Sequence, residues 1–312
     1  MAGQAIFSVK ELTGSLGDEL NSRGAAPEMS ITSMPQLNSK LWGIRRGKLT
    51  IIGARTSHGK SSFVMQVAKD LALQNFKVLF LSLEMSNSDM AERLFCNMCE
   101  VDNTSLQQGR FADHRGQYLE WCKKVTKLNL VFSDCLGRTW HEIDSLISSM
   151  PVKPDVVILD YIQAIKGLGT MERGVMDEYI KKFREMAVIH NYAGIICSQI
   201  NRGSEHGKDN RPQLHQLKNT GFLEEHADVV ILLHWPYKSD PDANKDEKKF
   251  VLELAKNRNG RTGYFFLFYH PEFYKFKDPQ SKKDVKLEDM DPEVRKAVSL
   301  FGGHVVEGGI ND

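Results

Sequence analysis

Six short apolar runs, each separated from the next by enough chain for a helix, constrain this sequence more than any other feature. They are Leu49-Thr50-Ile51-Ile52, Val78-Leu79-Phe80-Leu81, Leu130-Val131-Phe132, Val156-Val157-Ile158-Leu159, Ile195-Ile196-Cys197 and Val229-Val230-Ile231-Leu232-Leu233. A strand that is apolar along its whole length is covered on both faces. Strands of that kind alternating with helices form a mostly parallel, twisted sheet with helices on both sides. The expected class is therefore α/β. Helices are predicted from Gly59 to Gln74 and again after Ser86. Two further runs, Phe250 to Ala255 and Tyr264 to Tyr269, flank Asn259-Gly260 and predict an antiparallel hairpin at one edge of the sheet.

The 312 residues suffice for one large α/β domain with a sizeable core. Ahead of it lies a leader, residues 1–35. Ser8 and Glu11 have capping-box spacing, and Val9, Leu12, Leu16 and Leu20 recur at helical spacing until Gly24 and Pro27. One apolar stripe is not stable alone, so this helix is expected to pack on its own domain or on a neighbouring subunit. A charged extension, residues 278–312, follows the domain expected over 36–277.

Composition excludes several classes. Net charge is +1, so no global basic field exists and any nucleic-acid contact must come from a local patch. No apolar run approaches the roughly 20 residues of a membrane span. The first residues also lack the basic start and apolar stretch of a signal peptide. The chain is expected to stay in the cytoplasm, of a bacterium or of a phage-infected host cell, with no membrane partner. Five cysteines, an odd number, argue for reduced thiols. Cys96 and Cys99 form a C-x-x-C, but no second pair follows at zinc spacing, so they read as two buried residues of one helix.

The chemistry begins where the first apolar run ends. Ala54-Arg55-Thr56-Ser57-His58-Gly59-Lys60-Ser61 lies between a predicted strand and a predicted helix, with Ser62 following. A phosphate-binding loop needs free backbone N–H groups, a lysine for the terminal phosphates and a hydroxyl for magnesium. Gly59, Lys60 and Ser61 supply them at the amino end of a helix. The usual motif opens with glycine, whereas here Ala54 holds that position and Gly53 comes one residue early. Asp160 ends the fourth run, where an acid at a strand's carboxyl end lies in the ligand crevice and can hold magnesium. Glu84 ends the second run and is the candidate to orient an attacking water. Gln199 ends the fifth and can sense a γ-phosphate.

These segments, together with Leu-Ser-Leu-Glu-Met-Ser, Ile-Leu-Asp-Tyr-Ile-Gln, Ser-Gln-Ile-Asn-Arg, Ala-Asp-Val-Val and Lys-Asn-Arg-Asn-Gly in that order, resemble the RecA-fold C-terminal motor domain of DnaB-type replicative helicases. Alanine at the first loop position is usual in that family. The resemblance runs from about residue 30 to 275 and implies a RecA-like P-loop NTPase fold. It also implies a homo-hexameric ring around single-stranded DNA, with ATP and Mg2+ between subunits. Lys60, Ser61, Glu84, Asp160 and Gln199 would take the roles above. Lys256 and Arg258 match a basic pair that reaches a neighbour's γ-phosphate, and Arg93 matches an active-site arginine. Arg202, Lys208 and Arg211 lie in the segment expected to grip DNA after Gln199. Lys218, Asn219 and Gly221 match the family's DNA-gripping turn, with lysine for its arginine and asparagine for its acid. Gly167 to Arg173 is a second candidate loop. Nothing matches the family's N-terminal domain, as in a phage-like short form or a truncated chain, so a primase or loader partner is not implied. A RecA-like recombinase filament and a regulatory or loader ring without unwinding are the alternatives.

Overall fold

A computed structural model describes residues 27–167, 173–200, 211–214, 216–217, 223–239 and 246–279, with the isolated positions Thr13 and Gly17. The expected leader helix lies outside the described residues, apart from Thr13 and Gly17, which are helical.

Every predicted strand forms. β1 (Leu49–Ala54), β2 (Val78–Ser82), β3 (Leu130–Asp134), β4 (Val156–Asp160), β5 (Ala193–Gln199) and β6 (Val229–His234) are all parallel. β7 (Lys249–Asn257) and β8 (Gly263–His270) are the expected antiparallel hairpin. A ninth strand, β9 (Lys275–Lys277), escaped the sequence reading because three residues carry no periodicity; it pairs with β8 and forms the actual edge. The order is β3-β2-β4-β5-β1-β6-β7-β8-β9, which leaves β1, and the loop it feeds, at the centre. β3 closes the opposite edge, and its Val131 is half exposed.

The helices are α1 (Pro35–Leu41), α2 (Lys60–Leu73), α3 (Asn87–Cys99), α4 (Asn103–Gln107), α5 (Arg115–Val125), α6 (Trp140–Ser149) and α7 (Arg173–Ile189). Short helices α8 (Leu223–His226) and α9 (Pro236–Ser239) flank β6. Two hydrophobic layers result, because successive strand residues point to opposite faces. Ile52, Phe80, Ile158 and Ile195 meet Phe63 and Val67 of α2 and Leu94 of α3. Ile51, Leu81, Leu159 and Ile196 meet Ile143 of α6 and Ile180 and Phe183 of α7 on the other face. A Cβ on Gly194 of β5 would stand 2.8 Å from the Phe183 ring, so a glycine there sets how closely α7 approaches. Among the described residues no helix is long and apolar enough to cross a membrane.

Residues just ahead of 36 pack into the same core: Met29, Ile31 and Met34 are fully buried, and Met29 bridges to Ile44. Two glutamines of the α2 region hold these outer segments by imitating backbone. Gln74 accepts from Ser30 N at 3.1 Å and donates to Ser30 O at 2.7 Å. Buried Gln66 does the same to Phe276 of β9, accepting from its N at 2.8 Å and donating to its O at 2.7 Å. Cys96 is buried on α3 and its thiol is pushed up to about 12, chiefly by burial and then by the Glu92 and Asp102 charges. The Cys99 thiol is raised by burial as well. Both side chains belong to α3, Cys96 fully buried and Cys99 partly buried against the core.

Candidate nucleotide site at the carboxyl edge of the sheet

The strand leading into the loop explains the departure from the usual motif. Ala54 is the fully buried last residue of β1, paired with Gln199 on one side and Leu233 on the other. Gly53 is a packing residue, because a Cβ there would lie 2.9 Å from Leu232 Cδ2 and 3.1 Å from Ile200 Cδ1. The loop itself turns through Ser57 (φ 62°) and Gly59 (φ 72°), both left-handed. At Gly59 a side chain would also press on Phe276 Cζ at 3.1 Å. His58 N closes the turn onto Arg55 O at 3.2 Å. The His58 ring is buried, accepts from Trp235 N at 3.2 Å and stacks on His234 at 6.0 Å, which fixes the loop to the end of β6.

From Gly59 the chain enters α2, whose first-turn N–H groups have no acceptor within the helix and suit an anion. Lys60 Nζ lies 3.6 Å from Asp160 Oδ1 and 4.0 Å from the centre of the Tyr161 ring. Asp160 is 3% exposed, and its Oδ1 takes no hydrogen bond among the described residues. A buried carboxylate oxygen left without a donor costs energy unless a cation meets it. Ser61 follows Lys60 at the start of α2, and its hydroxyl and the Asp160 carboxylate are hard oxygen donors of the kind magnesium takes. Ser62 is different: its hydroxyl is buried against Tyr269 OH at 3.1 Å, so only its main chain is left for a ligand.

The neighbouring strand ends complete the edge. Leu83 N donates to Asp160 O at 2.7 Å, which sets the exposed Glu84 beside the Asp160 strand end. The Tyr161 hydroxyl is raised by burial and then by the Glu84 and Asp160 charges. Gln199 Nε2 donates to Thr56 Oγ1 of the loop at 2.8 Å. Sequence reasoning passed over Tyr161 and Gln163, although both stand in the Asp-Tyr-Ile-Gln segment it used; spacing alone says nothing of where those side chains turn.

Other candidates are elsewhere. The Arg93 guanidinium lies 4.8 Å over the Tyr274 ring. Lys256 and Arg258 stand at the far end of β7, beside the amino ends of the parallel strands. Lys256 pairs with Val230. Arg258 donates through Nη2 to Glu225 O at 2.7 Å and approaches Asp228 Oδ1 through Nη1 at 3.5 Å. Asp228 is buried, accepts from Leu49 N at 3.0 Å, and lies 3.7 Å from Arg184 Nη2. β1 runs the six residues from Leu49 to Ala54, so Arg258 is about 17 Å from its own phosphate loop at strand rise. Of the DNA-contact candidates, Arg211 is described, with its guanidinium 5.8 Å over the Tyr264 ring of β8. Arg202, Lys208, Lys218, Asn219, Gly221 and most of Gly167 to Arg173 lie outside the described residues.

Comparison with known proteins agrees with this fold. The chain is 27% identical over 305 residues to the replicative DNA helicase DnaB of Rickettsia typhi, covering 88% of this chain and 61% of that one. It therefore spans less than two thirds of that relative's length. A DnaB-like replicative helicase whose structure includes its interactions with primase gives a TM-score of 0.79 at 22% identity, over 88% of this chain and 69% of that one. The chain is also similar in fold to a separately solved ATPase domain, with a TM-score of 0.77 and 22% identity over 88% of this chain and all of that domain. Residues 31–278, from buried Ile31 to the residue after β9, match the DnaB-like helicase C-terminal domain, and the chain belongs to that nucleotide-binding family.

Proposed function

We propose that this chain is the motor of a ring-forming replicative helicase that hydrolyses ATP between subunits, moves along single-stranded DNA and unwinds duplex. One observation carries the reading. The groups suited to phosphate, magnesium and water converge at one edge of the sheet, while Arg258 stands at the other, about 17 Å away at strand rise. A cation so placed cannot serve its own nucleotide, so it serves a neighbour's, and hydrolysis then requires assembly.

In this reading Lys60 and the first-turn N–H groups of α2 bind the β- and γ-phosphates. Ser61 and Asp160 hold Mg2+, which, when bound, neutralises charge developing on the transferred phosphoryl group. Lys60 leaves the Tyr161 face and the Asp160 oxygen when phosphate arrives. Glu84, exposed beside that pair, accepts the proton of the attacking water. Gln199, bonded to Thr56, reads the γ-phosphate and passes its state into the chain that follows β5. Arg258 and Lys256 of the adjacent subunit stabilise the transition state, and Arg93 borders the site through Tyr274. Arg202, Lys208, Arg211, Lys218, Asn219 and Gly221 grip the DNA backbone irrespective of sequence.

The test is subunit mixing. Arg258→Ala is expected to lower DNA-stimulated ATPase by about a thousandfold while isolated subunits still bind nucleotide. Mixing it with Lys60→Ala protein should restore turnover that neither variant has, since some interfaces regain both groups. No recovery on mixing, or an Arg258→Ala protein with normal turnover, would sink the trans assignment. A forked-duplex assay with ATP separates a helicase from a regulatory ring, and electron microscopy with DNA separates rings from recombinase filaments.

A further inference from the structure

We infer that Gln163 is the positioning residue that sets the γ-phosphate sensor, an assignment that rests on the reading of Gln199 above. β4 and β5 run as a parallel pair as far as Leu159 and Ile196. Beyond that point the main chain of β4 turns away into the single 3-10 turn Ile162–Ala164. The ladder nevertheless continues, because the Gln163 side chain takes the place of the departed backbone. Its Oε1 accepts from Gln199 N at 3.1 Å, and its Nε2 donates to Gln199 O at 3.1 Å and to Ser198 Oγ at 2.8 Å. Both amide hydrogens and the carbonyl oxygen are used, and Ser198 is fully buried, so the clamp has little freedom.

Its place gives the clamp its consequence. Gln199 is the last residue of β5, held on its other side by the pairing with Ala54 of β1. With the main chain of Gln199 pinned from both sides, its side chain is set to meet Thr56 Oγ1 of the phosphate loop at 2.8 Å. Gln163 is also three residues beyond Asp160. The strand that carries the buried carboxylate and the strand that carries the sensor are therefore joined by one side chain at the edge where a phosphate would sit. Without the clamp, Gln199 N and O turn to water, and the sensor amide loses the fixed origin from which it reaches the loop.

The competing view is that Gln163 is a tether and nothing more. Gln66 and Gln74 make the same two-point pairing with Phe276 and Ser30, where no sensor side chain is mounted. The two views differ in what they predict for nucleotide preference. A tether supports ADP and ATP binding alike, whereas a sensor mount matters only when a γ-phosphate is present.

The experiment uses the full chain with Mg2+ and compares affinity for ADP with affinity for a non-hydrolysable ATP analogue. Wild type, Gln163→Ala, Gln163→Glu, Gln199→Ala and the double variant Gln163→Ala/Gln199→Ala are measured, with melting temperatures. Gln163→Glu keeps the acceptor for Gln199 N but loses both donors. Each single variant is expected to reduce the preference for the ATP analogue about tenfold, the size of one hydrogen bond to a charged group. ADP affinity and melting temperature should hold, and the double variant should add nothing further. If Gln199→Ala loses the preference and Gln163→Ala keeps it, the inference falls and the sensor stands. If Gln199→Ala keeps the preference, the sensor assignment falls and takes the inference with it. A parallel fall in ADP affinity and melting temperature for both Gln163 variants makes this side chain a tether like Gln66 and overturns the inference.

Discussion

The two ends of the parallel sheet are built to opposite rules. At the carboxyl ends Asp160 Oδ1 is buried with no hydrogen bond among the described residues, and Lys60 Nζ lies 3.6 Å away, between it and the Tyr161 ring. At the amino ends Asp228 is equally buried but well served, by Leu49 N at 3.0 Å and by guanidinium groups of Arg258 and Arg184 at 3.5 and 3.7 Å. At the carboxyl end the acid is paired with a lysine at 3.6 Å that a phosphate can also claim, and its Oδ1 takes no hydrogen bond among the described residues. The amino end has met its own demand and still presents a cation: the Arg258 side chain is 41% exposed. In the proposed reading one end receives charge and the other holds charge ready for use elsewhere. Stacking such sheets head to edge in a ring would bring the two together.

Lys60→Ala is the strongest way to break that comparison. It removes the cation paired with Asp160 and the group placed for the terminal phosphates. Turnover should fall by about a thousandfold or more, measured as steady-state ATPase with single-stranded DNA. Folding should survive, because Lys60 stands at the start of α2 and belongs to neither hydrophobic layer. Turnover within tenfold of wild type would mean that the carboxyl edge is not the phosphate site.

Asp228→Asn sharpens the comparison from the other end. The amide keeps an acceptor for Leu49 N but loses the charge that holds Arg258 and Arg184. Both arginines are partly exposed, at 41% and 31%, so the stability cost should be about 1 kcal/mol rather than the several expected of a fully buried pair. DNA-stimulated turnover should fall roughly tenfold, far less than for Arg258→Ala, because the arginine proposed to act in trans is still present but less well aimed. Nucleotide affinity of isolated subunits, read by fluorescence titration, should be unchanged. A loss of that affinity would mean that Asp228 acts through β1 on the phosphate loop and not through Arg258.

How much of this was legible in the sequence depended on whether a feature is local. The six parallel strands were visible because each is apolar at nearly every position, and the loop because Gly-Lys-Ser stands between a strand and a helix. The catalytic carboxylate candidates were visible because a strand end is a place in the fold as well as in the chain. Gln163, Gln66 and Gln74 were not visible. A glutamine that stands in for backbone looks like any polar residue until the segment it clamps is brought beside it, 36 residues away for Gln163 and 210 for Gln66. The separation of Arg258 from its own loop was likewise hidden, because a residue after an antiparallel strand returns to the amino edge only when the register is known.

The smallest effect concerns the outer strand that the sequence reading missed. β9 is tied to the end of α3 by Glu100, which meets Lys275 at 2.7 Å and Lys277 at 3.1 Å. Hydrogen bonds from Lys275 and Lys277 hold the Glu100 carboxyl down at about 2, against an ordinary value of 4.5. A depressed folded-state value means that the ionised form is the one that stabilises. The contribution is complete above about pH 4.5, declines below it, and is gone once pH falls through about 2. Glu100→Gln should therefore lower stability at neutral pH, with the gap from wild type closing as pH drops through that window. Glu100 is 43% exposed, so solvent screens the pair, and about half a kcal/mol is the expected size. Chemical denaturation of both proteins at pH 7 and pH 3 measures it, provided the fold survives the acid. β9 also carries Phe276, which packs beneath Gly59, so this weak pair reaches the central comparison. If loosening it leaves ATPase untouched while costing stability, the outer strand only supports the phosphate loop from below. If turnover falls along with stability, the carboxyl edge depends for its shape on a strand three residues long.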